Sequence, residues 1–366
     1  MDSASSKGSF GPAPHFLAWW NRSHLGRPLM HVMARRDQPL EGLEPVAEPR
    51  TPEELHLDVS AKSAGQRNLL RTHLYLADAF PNLSVNIGPG SLATYLGSEP
   101  TFAWDTVWFQ ENVSDWRDAP PLAFDPANPW WTRHLALVRE AQVEAAGRYL
   151  VDIPDLVEGV DILSAMRGPQ PFCMDLIDEP EEIERRLAEL DRVYFEYYDP
   201  LYEAVRAPDG SCSYTAFELW GPGRTAKVQC DFCALMSPAQ FRRFVQPWLQ
   251  RQCARLDNSM YHLDGPDAIK HLDALMEIPE LDAVQWTSGA AKPDGGWDGW
   301  YPIYDKVRRA DKSLWIALYD GGFEDWTARA DRLVARYGAD GLYLLFPTMS
   351  EREAERLIDH AETVWR

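Results

Sequence analysis

The sequence predicts an α/β protein with a parallel sheet, and it favours a TIM (β/α)8 barrel with extended loops in the N-terminal half over a doubly wound sheet. Two observations favour this fold. In the second half, short and continuously apolar segments alternate with amphipathic ones, which is typical of strands buried between helices in a parallel sheet. The chain also has 366 residues, a length that suits a barrel with large insertions better than a doubly wound sheet.

The second half contains the clearest elements. Strands are predicted at Ser259–Leu263, Leu281–Trp286, Leu314–Leu318 and Leu342–Phe346. Helices are predicted at Pro266–Met276, Tyr304–Arg309, Asp325–Tyr337 and Ser350–Trp365. Two helix starts carry capping boxes, in which a Ser is followed three residues later by Gln or Glu: Ser237 with Gln240, and Ser350 with Glu353.

The first half is dominated by segments rich in Pro, Asn and Trp, which predict long loops over one end of the barrel. Strands are expected at Leu29–Met33 and Tyr149–Ile153, and a long amphipathic helix at Glu181–Ala207 with a kink at Pro200. Residues 1–14 are Ser-, Gly- and Pro-rich and predict a flexible arm. Residues 15–366 are expected to form a single domain.

Composition excludes several classes of partner. The net charge of -20 disfavours nucleic acid and anionic membranes. No run of about 18 apolar residues predicts a membrane span. Five cysteines, an odd and low number for the length, indicate a reduced cytoplasmic protein. The sequence has no P-loop and no G-x-G-x-x-G after a strand, so no nucleotide cofactor is expected.

Polar residues at the predicted strand ends are the candidates for chemistry, because functional side chains of parallel barrels gather there. His262 and Asp264 follow one strand and face the same side, as a metal-binding or acid/base pair or as structural groups. Asp231 and Glu218 are acids in apolar surroundings that need a partner if buried. Asp231 lies inside the motif C-x-x-C, whose thiols are expected to be buried and structural.

Further candidates for the site lie at other strand ends and in the loops. Tyr319 is followed by Asp and two Gly, which either allow a ligand to approach or form a turn. Arg35 and Arg36 follow the first strand and could clamp an anion or lie in a solvated loop. Trp108, among fifteen tryptophans, and Trp286 either wall a pocket or pack under loops.

The sequence resembles the uroporphyrinogen decarboxylase superfamily over roughly residues 16–365. The segment Arg27–Arg36 (RPLMHVMARR) is similar to the family's opening strand and Arg-containing loop. The segment from Leu235 to Phe241 (LMSPAQF), followed by Val245–Trp248 (VQPW), is similar to the family's LSPxxF helix. Tyr261–Gly265 (YHLDG) stands where the family has H-x-C-G. The resemblance implies the barrel fold.

The departures from the family pattern bear on function. Asn86 aligns with the Asp that porphyrinogen decarboxylases require, and Phe346-Pro347-Thr348 replaces their Gly-His-Gly, so porphyrinogen is not the expected substrate. Zinc methyltransferases of the superfamily have Cys where Asp264 stands and another Cys near Pro347. A zinc site rich in thiolates is therefore not expected. A site with oxygen and imidazole ligands from His262, Asp264, Glu218 and Asp231 is the remaining expectation.

Three functional hypotheses follow. The first is a metal-assisted methyl transfer or demethylation of a small substrate, with a divalent metal such as zinc at His262, Asp264 and Glu218. In it, Asp231 and Tyr319 join the catalytic group, and a corrinoid protein or other methyl carrier, as well as a homodimer, is an expected partner.

The second hypothesis is a cofactor-free decarboxylase or lyase. Arg35 and Arg36 would hold the carboxylates of an aromatic or pyrrolic substrate, and an acid such as Asp231 or Asp264 would protonate the product carbon. The expected substrate-binding residues of the enzyme also include Asn86, Trp108 and Trp286. The third is a barrel that binds a small molecule without catalysis, since fold does not fix function.

Overall fold

The computed structural model describes residues 13–365, which form fourteen α-helices and fourteen β-strands. The strands are β1 (Leu29–Arg35), β2 (His73–Ala77), β3 (Asn82–Leu83), β4 (Pro100–Phe102), β5 (Val107–Phe109), β6 (Leu150–Val151), β7 (Ser211–Tyr214), β8 (Leu219–Pro222), β9 (Thr225–Gln229), β10 (Asn258–Asp264), β11 (Ala283–Thr287), β12 (Ser313–Ala317), β13 (Leu342–Leu345) and β14 (Met349–Ser350).

The helices are α1 (Ala13–Trp20), α2 (Pro52–Leu57), α3 (Val59–Thr72), α4 (Leu92–Tyr95), α5 (Pro129–Ala145), α6 (Gly159–Arg167), α7 (Pro169–Asp178), α8 (Pro180–Val205), α9 (Pro238–Phe244), α10 (Gln246–Cys253), α11 (Leu272–Met276), α12 (Tyr301–Arg309), α13 (Phe323–Tyr337) and α14 (Glu351–Val364). Three 3-10 turns lie at Asp231–Leu235, Pro266–His271 and Asp298–Trp300.

An eight-stranded, mostly parallel sheet organises the molecule. Its order is β14-β1-β13-β12-β11-β10-β9, and β2 pairs with β1 in the antiparallel sense. Helices connect the successive strands β10 to β13, as parallel pairing requires. The predicted α/β class with a mainly parallel sheet is therefore confirmed.

A second, shorter run of parallel strands lies outside this sheet. β3 pairs with β6, and Ile153, just after β6, bridges to Tyr214 of β7. Two antiparallel hairpins, β4–β5 and β7–β8, project from the loops. Within residues 13–365 no strand pairing joins β1 to β3 or β7 to β9, so the pairing does not form a closed ring.

The strand and helix predictions of the second half agree with the structure to within a few residues. Both capping boxes are present, at Ser237 with Gln240 and at Ser350 with Glu353. Helix α8 runs through Pro200 as one helix. The helix predicted at Pro266–Met276 is a 3-10 turn followed by α11, and the apolar pattern after Ser237 is divided between α9 and α10 at Val245.

The N-terminal helix packs against the ends where the strands begin. Trp19 donates its indole N–H to the carbonyl of Leu314 at 3.2 Å, and the ring of Phe16 lies 5.5 Å from that of Tyr343. This packing closes one end of the sheet, so the opposite end, where the strands finish, is left to the loops. The sequence predicts a flexible arm at residues 1–14. Residues 1–12 lie outside the described residues, and residues 13 and 14 belong to α1.

The cysteines carry no cross-link: all five are free thiols, and those of the C-x-x-C motif, Cys230 and Cys233, are buried. Among residues 13–365, no helix has the length and apolar character needed to cross a membrane.

Candidate functional site

The register of three neighbouring strands aligns a row of polar side chains. His262 on β10 stands opposite Gln229 on β9 and Gln285 on β11, and Asp264 stands opposite Thr287. Because alternate residues of a strand face the same side, all five side chains point to one face near the carboxyl ends of the strands. The predicted pair His262 and Asp264 therefore shares its face with the two glutamines.

Three of the predicted site residues meet at this place. The potential ligand atoms of Asp231, His262 and Asp264 all lie within 4.8 Å of one another. Asp231 reaches the group because a 3-10 turn begins directly after β9 and directs its side chain back over the strand end. We call these three residues the DHD cluster.

Hydrogen bonds fix the imidazole of His262. Its Nδ1 contacts Oε1 of Gln285, whose Nε2 donates to Oγ1 of Thr287 at 2.9 Å. Since the amide oxygen accepts from Nδ1–H, the lone pair of Nε2 remains free. Burial, together with the charge of Lys227, lowers the pKa of His262, which favours the neutral form that binds metals.

A third acid, Asp161 at the start of α6, supports the cluster. Its carboxylate accepts the backbone N–H groups of Asp231 and Phe232 at 2.8 and 2.9 Å. The amide of Gln229 donates to Asp231 at 2.9 Å. Partial removal from water, with the nearby charge of Asp161, raises the pKa of Asp231 to about 7. The cluster therefore has an excess of negative charge that a cation would relieve.

A buried ion pair lies beneath the cluster. Nζ of Lys227 donates to Oδ2 of Asp155 at 2.9 Å and contacts the amide oxygen of Gln229. Glu158 accepts the backbone N–H of Gln229 at 2.7 Å, and burial raises its pKa to about 8. The sequence does not single out Lys227, Asp155, Glu158 and Asp161. The local sequence around each of them is typical of a solvated strand or helix start, and the partner of each residue lies far away in the chain.

A cavity of about 390 Å³ opens beside Asp231. Its walls come from the β4–β5 hairpin, from α6 and from the turn after β9, and they include Trp108, Asp161 and Phe232. The side chain of Trp108 is 66% exposed, whereas Trp116 and Trp131 are buried. The tryptophans of this region thus divide between the two roles considered for them, and Trp108 lines the cavity beside Asp231.

Glu218 is not part of the cluster. It lies in the β7–β8 turn, where the carboxylate of Asp152 and the amide of Asn82 are its neighbours, and its Oε2 has no hydrogen-bond partner in residues 13–365. Burial, with the charge of Asp152, raises the pKa of Glu218 to about 7. The turn is unusual because Ala216, Phe217 and Glu218 all have positive φ.

The predicted anion-binding residues lie elsewhere. Arg35 is exposed at the end of β1, opposite Ser350, and the backbone of Arg36 donates to Thr72 at 2.8 Å. Asn86 accepts a hydrogen bond from Ser91 at 3.0 Å. None of Arg35, Arg36 and Asn86 lines the cavity beside Asp231.

The last two predicted residues are also separate from the cluster. Trp286 is buried on the other face of β11 from Gln285 and packs against Trp300, with ring centroids 5.1 Å apart. Tyr319 has an exposed side chain, and its backbone N–H donates to the buried carboxylate of Asp294 at 2.7 Å. Of the predicted set, Asp231, His262 and Asp264 therefore meet, and Trp108 lines the cavity beside Asp231. Comparison of the sequence with models of known protein families finds no match, and comparison with curated proteins finds none.

Proposed function

We propose that this chain is a metal-dependent barrel enzyme of the uroporphyrinogen decarboxylase type that transfers or removes a methyl group of a small substrate. One observation carries the proposal: the potential ligand atoms of Asp231, His262 and Asp264 lie within 4.8 Å of one another. They stand at the finishing ends of adjacent parallel strands, where barrel enzymes hold their active sites.

The strand arrangement supports the barrel. The main sheet ends at β2, which pairs with the side of β1 opposite β13 and β14, and at β9 on the other side. The parallel run β3, β6, β7 follows β2 and precedes β9 in the chain. If this run fills the gap between β2 and β9, the strands surround one interior, into which Lys227, Gln229 and His262 point. That interior position explains why a lysine of β9 is only 1% exposed.

The donor set fits a divalent metal. Two carboxylates and a neutral imidazole suit zinc, manganese or iron. The hydrogen bond from Nδ1 of His262 to Gln285 leaves Nε2 as the ligand atom, in the arrangement that metal sites use to orient histidines. The buried thiol of Cys230 is not among the ligand atoms that meet here within the described residues. Such a metal would act as a Lewis acid toward the acceptor or the leaving group.

The reaction class comes from the family resemblance. In methyl transfer, the bond between the methyl carbon and the substrate heteroatom breaks, and the heteroatom keeps the electron pair. A nucleophilic acceptor, such as a thiol or a corrinoid carrier, forms the new bond to carbon. In this chain, Asp161 and Gln229 hold Asp231 in position, and the hairpin that carries Trp108 forms one wall of the cavity.

Decarboxylation of a carboxylated substrate receives less support. It would require cationic side chains to bind the substrate carboxylates. Among the described residues, the cavity beside Asp231 is lined by carboxylates and by no Arg, Lys or His. The favoured substrate is therefore small and without negative charge.

Metal analysis tests the proposal. The purified chain should bind about one divalent ion, measured by elemental analysis and by titration with zinc and manganese after chelation. His262→Gln and Asp231→Asn should each weaken binding at least tenfold. The matched control is His24→Gln, which removes an exposed histidine paired with Asp340 at 3.6 Å. Unchanged metal affinity in both site variants would overturn the proposal.

A further inference from the structure

The cavity beside Asp231 combines aromatic rings with carboxylates. Three aromatic side chains and three acids line it: Trp108, Phe109, Phe232, Glu111, Asp161 and Asp231. No Arg, Lys or His lines it among the described residues. The negative charge of the walls is therefore not compensated from within the cavity, and an anionic ligand would be repelled.

Two of these groups are available to a ligand. Trp108 is 66% exposed on the β4–β5 hairpin, so a face of its indole is not covered by the protein. Glu111 follows this hairpin, is exposed, and makes no hydrogen bond or ion pair with its side chain among residues 13–365. Asp161, in contrast, already accepts two backbone N–H groups, from Asp231 and Phe232. Glu111 is thus the acid that remains free to meet a charge.

A cation would interact favourably with both the aromatic rings and the carboxylates of the cavity. Aromatic faces attract cations through their quadrupole, and alkylated ammonium ions are well suited because their methyl groups also tolerate an apolar surface. A neutral ligand of the same shape would gain the apolar contact but neither the cation–π attraction nor the attraction to Glu111. The cavity volume of about 390 Å³ lies in the range of small-molecule sites.

We propose that this cavity binds a small organic ammonium ion, with its alkylated nitrogen against the aromatic walls and its charge facing Glu111. The identification of this ion as the methyl-bearing substrate rests on the proposed function. Binding of the ion itself needs only the residues of the cavity.

The test compares two probes of nearly equal shape. Choline carries a trimethylammonium group, and 3,3-dimethyl-1-butanol carries a neutral tert-butyl group in its place. Isothermal titration of the full chain should show choline binding at least about tenfold more tightly than its neutral counterpart. Equal affinities, a preference for the alcohol, or no binding of choline would each overturn the inference.

Two variants identify the responsible groups. Glu111→Gln and Trp108→Leu should each weaken choline binding about tenfold, and Glu111→Gln should leave binding of the alcohol unchanged. The matched controls are Glu196→Gln, an exposed acid of α8, and Trp104→Leu, which removes an exposed ring of the same hairpin that does not line the cavity. Thermal melting confirms folding, and loss of choline binding in the controls alone would contradict the assignment.

Failure of the metal proposal and failure of the choline proposal can be distinguished. The choline titration is repeated after chelation and with His262→Gln. If choline still binds while no divalent ion does, the proposed metal chemistry fails and the cation site stands. If the metal binds but choline does not exceed the alcohol, the cation site fails and the metal proposal stands.

Discussion

The imidazole of His262 and the amide of Gln285 meet across two neighbouring parallel strands, with ring Nδ1 hydrogen-bonded to the amide oxygen. The amide is itself held by its 2.9 Å bond to Thr287. The strand register thus determines which ring nitrogen of His262 faces the DHD cluster. Gln285, which lies outside the cluster, fixes the orientation and tautomer of His262 within it.

Gln285→Ala should weaken divalent metal binding by about 10- to 100-fold, because the ring of His262 loses the partner that fixes its tautomer and orientation. Thr287→Val, which removes only the bond that holds the amide, should cause a smaller loss. Competition with a chromophoric chelator measures both affinities, and exposed Gln250→Ala is the control. Equal affinities of Gln285→Ala and the unmodified chain would show that the hydrogen bond does not support a metal ligand.

Glu218 should make the protein less stable as pH rises. Its pKa is raised from 4.5 to about 7 by burial and by Asp152, so the folded state binds more protons than the unfolded state between these values. The stabilising effect of the proton is complete below about 4.5, where both states are protonated, and is lost as pH rises through 7. At about 1.4 kcal/mol for each tenfold change in proton affinity, the loss is at most about 3.5 kcal/mol.

Glu218→Gln should therefore remove most of this pH dependence and should be more stable than the unmodified chain at pH 8 but not at pH 4.5. Urea unfolding at a series of pH values measures the difference. The exposed acid Glu355 provides the control, as Glu355→Gln, whose stability should follow that of the unmodified chain. A constant difference between Glu218→Gln and the unmodified chain across this range would contradict the prediction.

Arg186 anchors the loop before α5 to α8. Its side chain is fully buried, donates to the carbonyls of Ala119 and Pro120 at 2.7 and 2.6 Å, and pairs with Glu182 at 2.8 Å. Arg186→Leu should cost about 3–5 kcal/mol, because it leaves buried acceptors without donors. Its neighbour Arg185 is 47% exposed, so Arg185→Leu should cost about 1 kcal/mol or less. Thermal and urea unfolding measure both, and equal costs would contradict the argument.

The sequence was sufficient to predict the elements that contribute the DHD cluster. Strands β10 to β13 are continuously apolar and separated by marked helices, so their ends could be located and inspected for His262 and Asp264. Asp231 is recognisable because it is the acidic residue of the C-x-x-C motif at a predicted strand end. In these cases a local pattern and a general rule about strand ends were enough.

The supporting residues could not be predicted in this way. β9 (TAKVQ) alternates polar and apolar residues like a strand with one solvated face, yet Lys227 is buried because Asp155, 72 positions away in the chain, pairs with it. Glu218 lies apart from the DHD cluster, and its position depends on three successive positive φ angles in residues other than glycine, which local preferences oppose. Both cases depend on tertiary contacts that no local pattern encodes.

The pair of Lys227 and Asp155 allows this dependence to be measured. Lys227→Met should cost about 3–5 kcal/mol, since it leaves the buried carboxylate of Asp155 without its cation. The double variant Lys227→Met with Asp155→Asn should recover much of that loss, because no charge is then left unpaired and the amide oxygen can still accept the 3.1 Å bond from Tyr214. Urea unfolding of the four proteins completes a double-mutant cycle. If the loss of unfolding free energy in the double variant equalled the sum of the losses in the two single variants, Lys227 and Asp155 would not stabilise each other. The buried charge of Lys227 would then have to be stabilised by a different group.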